Sequence, residues 1–107
     1  MWDIRDHPSA AAEYAVLDAS EQVAVDNAIA KLRAIGPALG FPHSSAVKGT
    51  YRLRELRPRG GRSITQALYR QFGDRFVIGA YGPEEAGEPA AFTRACELAE
   101  ARLESLT

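Results

Sequence analysis

Apolar and polar positions change their spacing twice along this chain, and the changes divide it into three stretches. Trp2-Asp3-Ile4 alternates as a short opening strand does. Pro8-Ser9-Ala10 then suits the first turn of a helix over residues 8–17. Ser20, followed by Glu21, Gln22 and Val23, has the form of an N-cap and first turn. Val23, Ala24, Asn27, Ala28, Lys31 and Leu32 follow at three- and four-residue spacing. The helix they predict ends near Ile35, where Gly36-Pro37 supplies a terminating glycine and a residue that cannot continue the ladder. The two helices predict an antiparallel hairpin.

Residues 36–45 read as a loop, and beyond it the period becomes two. Residues 47–50, 51–57, 64–72 and 75–81 read as strands, with Gly60-Gly61 and Gly73-Asp74 as the turns. Strict alternation puts Ile64, Gln66, Leu68, Arg70 and Phe72 on one face and Thr65, Ala67, Tyr69 and Gln71 on the other. In the next strand it sets Phe76, Ile78 and Ala80 against Val77, Gly79 and Tyr81. After an acidic loop over 82–89, residues 90–106 read as a helix whose apolar stripe is Phe92, Ala95, Cys96, Ala99, Leu103 and Leu106. The order β-α-α-β-β-β-β-α predicts an α+β fold. Its N-terminal helical hairpin packs on a mainly antiparallel sheet of four to five strands, and a C-terminal helix closes it. One sheet face is expected to pack on helices and the other to stay open for a partner.

Length and composition narrow the class. The 107 residues suit a single domain over 1–107, and 46% hydrophobic with 25% charged residues is ordinary for a globular protein. The lone cysteine, Cys96, excludes an intrachain disulfide and suits a reducing compartment; on its stripe it reads as a small buried hydrophobe. No apolar run approaches the ~20 residues of a membrane span. The N-terminus lacks the basic-then-apolar order of a signal peptide. A soluble, cytoplasmic protein with no membrane partner is expected.

Charge is the uneven property. The net is −1, but residues 46–75 hold 8 basic and 2 acidic side chains, a net of +6, between acidic flanks. Seven of the eight are arginines, whose planar fork grips phosphate and stacks on bases. That asymmetry points toward a nucleic-acid partner despite the acidic total.

The run Lys48-Gly49-Thr50-Tyr51-Arg52-Leu53-Arg54-Glu55-Leu56-Arg57, then Gly60-Gly61-Arg62, then Ala67-Leu68-Tyr69-Arg70, resembles the RelE/ParE toxin superfamily and, within it, the HigB-like branch of type II toxin–antitoxin systems. The resemblance covers nearly the whole chain and implies a RelE-like, microbial-ribonuclease-like fold. It also implies a metal-independent endoribonuclease that cuts mRNA on the ribosome and is silenced by a cognate helix-turn-helix antitoxin. No metal and no small-molecule cofactor is expected. The chain departs from the family in three places. Gln66 stands where the family's strand opens with an arginine on the scissile phosphate, Glu84-Glu85 replaces a basic run, and the final helix carries no tyrosine or histidine. These departures keep two alternatives open: a ParE-like gyrase inhibitor, and a degenerate member that binds only its antitoxin.

Carried onto this chain, the resemblance implies Arg54 and Arg57 as catalytic candidates; Arg70, as compensation for the arginine absent at Gln66, and Tyr81, at the end of the last strand, join them, with Lys48, Arg52, Arg59, Arg62 and Arg75 as RNA-binding candidates. Arg54 and Arg57 equally suit a solvated strand edge, and Tyr69 reads as core. Glu55, between two arginines, is either a surface ion-pair partner or a base. His7 and His43 have no metal-ligand spacing, and no third member completes a hydrolase triad around His43-Ser44-Ser45.

Overall fold

Among the described residues, 1–106 of a computed structural model, there are three α-helices and one five-stranded sheet. Strand β1 (Asp3–Asp6) leads into helix α1 (Pro8–Ala15) and helix α2 (Ala19–Ile35). Strands β2 (Ser44–Ala46), β3 (Arg54–Leu56), β4 (Thr65–Phe72) and β5 (Arg75–Pro83) follow, then helix α3 (Pro89–Glu104). The strand order is β1-β5-β4-β3-β2. β1 runs parallel to β5, and every other pair is antiparallel. The architecture is α+β.

Local chemistry sets the helix ends. Pro8 opens α1, and His7 Nδ1 accepts the Ser9 N–H at 3.1 Å. α2 is capped by Asp18 rather than Ser20, because the Gln22 N–H already closes the first turn on the Asp18 carbonyl at 2.9 Å. It ends at Gly36, whose N–H bonds back to the Leu32 carbonyl with φ at 71°.

The strands differ more from the sequence pattern. Residues 47–50 form a turn, not a strand: Thr50 Oγ1 donates to the Val47 carbonyl at 2.7 Å, and the Val47 N–H to the Leu53 carbonyl. The first strand of this hairpin is therefore Ser44–Ala46, drawn from the expected loop. Gly60 and Gly61 belong to a tight 3-10 turn over Pro58–Gly61 rather than to a two-residue hairpin.

A β-bulge corrects the face assignment in β5. Leu68 pairs with Ala80, but Tyr69 pairs with Ile78, so Gly79 is an extra residue with no partner. Beyond it the two faces exchange. Tyr81 joins Phe76 and Ile78 on one side; Ala80 joins Val77 on the other.

Both faces of the sheet are covered, so the open face expected from the pattern does not exist as such. Val25, Ala28 and Leu32 of α2, with Ala10 of α1, pack on Leu56, Ala67, Tyr69, Phe76, Ile78 and Tyr81. Phe92, Ala95, Cys96, Ala99 and Leu103 of α3 pack on Leu53, Leu68, Val77 and Ala80. Leu106 lies past the end of α3 and is exposed. A Cβ on Gly79 would lie 2.8 Å from Leu103 Cγ, so α3 seats directly on the bulge. α3 lies over β5 and β4, leaving the β2–β3 end of this face uncovered. No helix among the described residues is long and apolar enough to cross a membrane.

Candidate functional site

The uncovered end of the α3 face is a cleft of about 400 Å³. Register builds it in rows. Ser45 pairs with Glu55, Glu55 with Leu68, and Leu68 with Ala80, so Ser45 and Glu55 share the α3 face. One step beyond the Leu56–Ala67 pair, Arg57 comes beside Gln66, which pairs with Gly82. Phe92 of α3 forms one wall, and Phe41, Lys48 and Glu84-Glu85 complete the rim.

Glu55 and Arg57 are the centre of the cleft. The Glu55 Oε1 atom accepts the Ser45 hydroxyl at 2.7 Å and lies 3.7 Å from Arg57 Nε. Both side chains are only 18% exposed. The Arg57 guanidinium rests 4.9 Å over the Phe41 ring. Gly61 makes room for it: a Cβ there would lie 2.4 Å from Arg57 Nη2. At the floor, Gln66 is 1% exposed, and its Oε1 has no hydrogen-bond partner.

The other candidates are not gathered here. Arg54 is three residues from Arg57 and so projects from the opposite face, where its Nε donates to Ser44 Oγ at 3.1 Å. That hydroxyl also bonds the buried Tyr69 hydroxyl at 2.6 Å. Arg52 is exposed at the lip of a hollow on that same side, beside Tyr69 and Phe76. Arg59 is paired with Glu21 at 3.2 Å and donates to the Ser20 carbonyl. Arg62 donates to the Arg59 carbonyl at 3.0 Å. Arg75 is bound to Asp3 at 3.1 Å on the far edge of the sheet, where Arg5 first, and Arg75 after it, hold the Asp3 carboxyl below its usual range. Only Lys48 and Arg57 of the nine candidates line the cleft, against three carboxylates, Glu55, Glu84 and Glu85. The +6 segment is thus not a continuous basic surface. Alternation and two ion pairs to other elements disperse it.

Tyr81 is on the helical-hairpin face because of the bulge. Its hydroxyl donates to Asp6 Oδ1 at 3.1 Å, and its backbone N–H to Glu13 at 3.0 Å. Burial first, and the Asp6 carboxylate second, hold that hydroxyl far above the ordinary tyrosine range. Burial in turn pushes the Asp6 carboxyl up. Tyr81 is a structural anchor with no path to the cleft.

Arg70 does share the Gln66 face, but it is 3% exposed beneath Tyr51, whose ring centroid is 5.3 Å from its guanidinium carbon. Its Nε and Nη2 have no hydrogen-bond partner. A buried cation so poorly satisfied costs stability. Arg70→Met is expected to leave the fold intact and raise unfolding free energy by roughly 1 kcal/mol, as when buried charge is replaced by apolar bulk. Denaturant unfolding reads this directly, and a loss of similar size would show that the guanidinium holds the loop above it.

Ser45, Phe41, Phe92 and the unpartnered Gln66 Oε1 were not singled out by the sequence as parts of a site. Ser45 could be matched to Glu55 only with the β2–β3 register known. Cys96 is buried as its stripe predicts, and burial, with Glu55 as the next contribution, pushes its thiol up to about 11. No group of three or more His, Cys, Asp or Glu side chains is placed to hold a metal among the described residues.

No family model, curated protein or solved structure matches this chain. The likeness to RelE/HigB toxins is therefore carried by the residues quoted for it.

Chemically, the cleft offers a half-buried carboxylate, a guanidinium beside it and an ammonium at the rim. A carboxylate can take a proton, and two cations can meet a developing negative charge.

Proposed function

We propose that this chain is the cytoplasmic toxin of a type II toxin–antitoxin pair, an mRNA endoribonuclease acting on the ribosome and neutralised by a cognate helix-turn-helix antitoxin. The observation that supports it is the Glu55–Arg57 pair in a cleft of about 400 Å³, with Lys48 on its lining. Glu55 takes the proton of a ribose 2′-hydroxyl. The freed 2′-oxygen attacks the neighbouring phosphorus, the bond to the 5′-oxygen breaks, that oxygen takes a proton from water, and a 2′,3′-cyclic phosphate forms. Arg57 and Lys48 face the charge that accumulates on the phosphoryl oxygens. The Ser45 hydroxyl orients the carboxylate by holding its Oε1.

A second reading is favoured by the three carboxylates against two cations and by Gln66 at the family's arginine position: a member that binds its antitoxin without cutting RNA. Induced expression of the chain alone, with growth followed beside mapping of mRNA 5′ ends, separates them. Growth arrest with new ends inside translated codons is the expected result. Arrest with intact messages and a DNA-damage response would move the target to gyrase. No arrest, with tight antitoxin binding, would establish the second reading.

A further inference from the structure

A second hollow, of about 190 Å³, opens between α2 and the tight turn over Pro58–Gly61. It is on the helical-hairpin side of the sheet, where Ala28 and Leu56 belong to the core. Val23, Asn27 and Lys31 recur every four residues, so they present one face of α2 to it. Ala24, Ala28 and Leu56 give the lining an apolar part. Lys31, Arg57 and Arg59 are its charged residues, and no carboxylate is among them. That reverses the balance of the cleft, where three carboxylates meet two cations.

The two arginines have carboxylate partners outside the hollow. Arg57 lies 3.7 Å from Glu55, and Arg59 lies 3.2 Å from Glu21. A guanidinium has five N–H donors, however, and the bonds of Arg59 to Glu21 and to the Ser20 carbonyl leave donors over. Among the described residues Lys31 has neither an ion pair nor a side-chain hydrogen bond, so its charge is uncompensated. Arg59 also sits at φ 55° and ψ 31°, a left-handed conformation unfavourable for a residue with a side chain. The buried Glu21 pins it there. Backbone strain of this kind persists where the surroundings over-determine it, and it gathers at ligand clamps.

Size limits the occupant. An apolar cavity of about 150 Å³ accepts a benzene ring, whereas sites for drug-sized ligands measure about 300–1,000 Å³. One ring-sized body with a charged head at the mouth therefore suits this hollow.

We propose that the hollow between α2 and the Pro58–Gly61 turn is a binding site for a small organic anion. Its compact apolar body rests on Val23, Ala24, Ala28 and Leu56, and its carboxylate or phosphate head meets Lys31 and the remaining arginine donors. The inference is independent of the endoribonuclease reading.

The test uses the full chain, labelled with ¹⁵N, and four probes: benzoate, phenyl phosphate, inorganic phosphate and benzyl alcohol. Amide chemical shifts are followed through each titration. Shifts are expected at Ala24, Ala28, Lys31 and Arg59, with Phe92 in the cleft wall unmoved. At least one of the two aromatic anions is expected to bind about tenfold or more tightly than benzyl alcohol, which has the ring without the charge. Phenyl phosphate is expected to exceed inorganic phosphate by about tenfold, through the ring surface it buries. The tighter of the two aromatic anions tells whether the natural ligand is a carboxylic acid or a phosphomonoester. Lys31→Glu changes an exposed side chain, so thermal unfolding should be unaltered while affinity falls about tenfold. Asn27→Lys adds a cation to the same lining and is expected to tighten binding. Equal affinity for benzyl alcohol and the anions, shifts confined to the cleft, or affinity unchanged in both variants overturns the proposal. Binding of neither aromatic anion does so as well.

Discussion

Glu55→Gln is expected to slow message cleavage by about 10²- to 10⁴-fold, the usual worth of a positioned proton-transfer group. The change removes proton affinity and, with it, the charge paired with Arg57. The amide keeps an oxygen to accept the Ser45 hydroxyl, and the side chain is near enough to the surface that its stability cost is small. The measurement is a time course of reporter-message cleavage in a purified translation system, with thermal unfolding as the control for fold. Arg57→Ala should give a loss of similar size, because it removes the cation facing the transition-state charge. The two losses are expected to be far from additive when combined, since both act on one step. If Glu55→Gln cuts at the original rate while Arg57→Ala does not, the proton goes elsewhere and Glu55 serves only to hold Arg57.

Gly36→Ala is expected to cost about 2–6 kcal/mol, much of the 5–15 kcal/mol that holds a typical domain together. Two penalties combine. The residue sits at φ 71° and ψ −142°, a backbone region that costs a non-glycine residue about 1–3 kcal/mol. A Cβ there would also lie 2.2 Å from Trp2 Nε1 and 2.4 Å from Cε2, so the indole must move. Trp2 is not free to do so. Its backbone N–H bonds the Arg33 carbonyl at 3.0 Å, and its ring packs on Phe76 at 5.6 Å. Overpacking of this kind costs about 1–3 kcal/mol. Gly73→Ala supplies the internal comparison, because it has φ 64° and nothing within 4 Å of the added carbon. Denaturant unfolding should show Gly73→Ala losing only the conformational part. Equal losses at the two glycines would mean that Trp2 yields without cost.

What periodicity carries, it carried well here. The two N-terminal helices, the α3 stripe from Phe92 to Leu103 and the Gly73-Asp74 turn follow from spacing and turn chemistry, because each is decided by neighbours in sequence. The failures are where a distant element decides. An isolated glycine in a strand is a known mark of a bulge or a close approach, but only the fold shows that Leu103 and Ala99 of α3 sit on Gly79. The faces of Tyr81 and Ala80 follow from the bulge. Arg54 and Arg57 were paired by motif, though simple alternation already separates them. The charge of residues 46–75 was legible as a number but not as a surface. Glu21 and Asp3, which bind Arg59 and Arg75, are more than 35 residues away in sequence. Gln66 stood out only as a missing arginine; its significance as an unsatisfied amide needed the burial to be known.

The two cores of this fold are not assembled from the same parts of the chain. The core under the helical hairpin is complete once β5 has been made, since α1, α2 and every strand precede that point. The second core depends wholly on α3, which comes later in chain order than the sheet it covers. Without residues 89–104 in place, Leu53, Leu68, Val77 and Ala80 have no helix to cover them. A message broken or stalled between the codons for Pro83 and Pro89 would release a chain folded on one side and sticky on the other. Such a product invites proteolysis rather than function, so the cleft, which needs Phe92 for its wall, exists only in chains translated through α3.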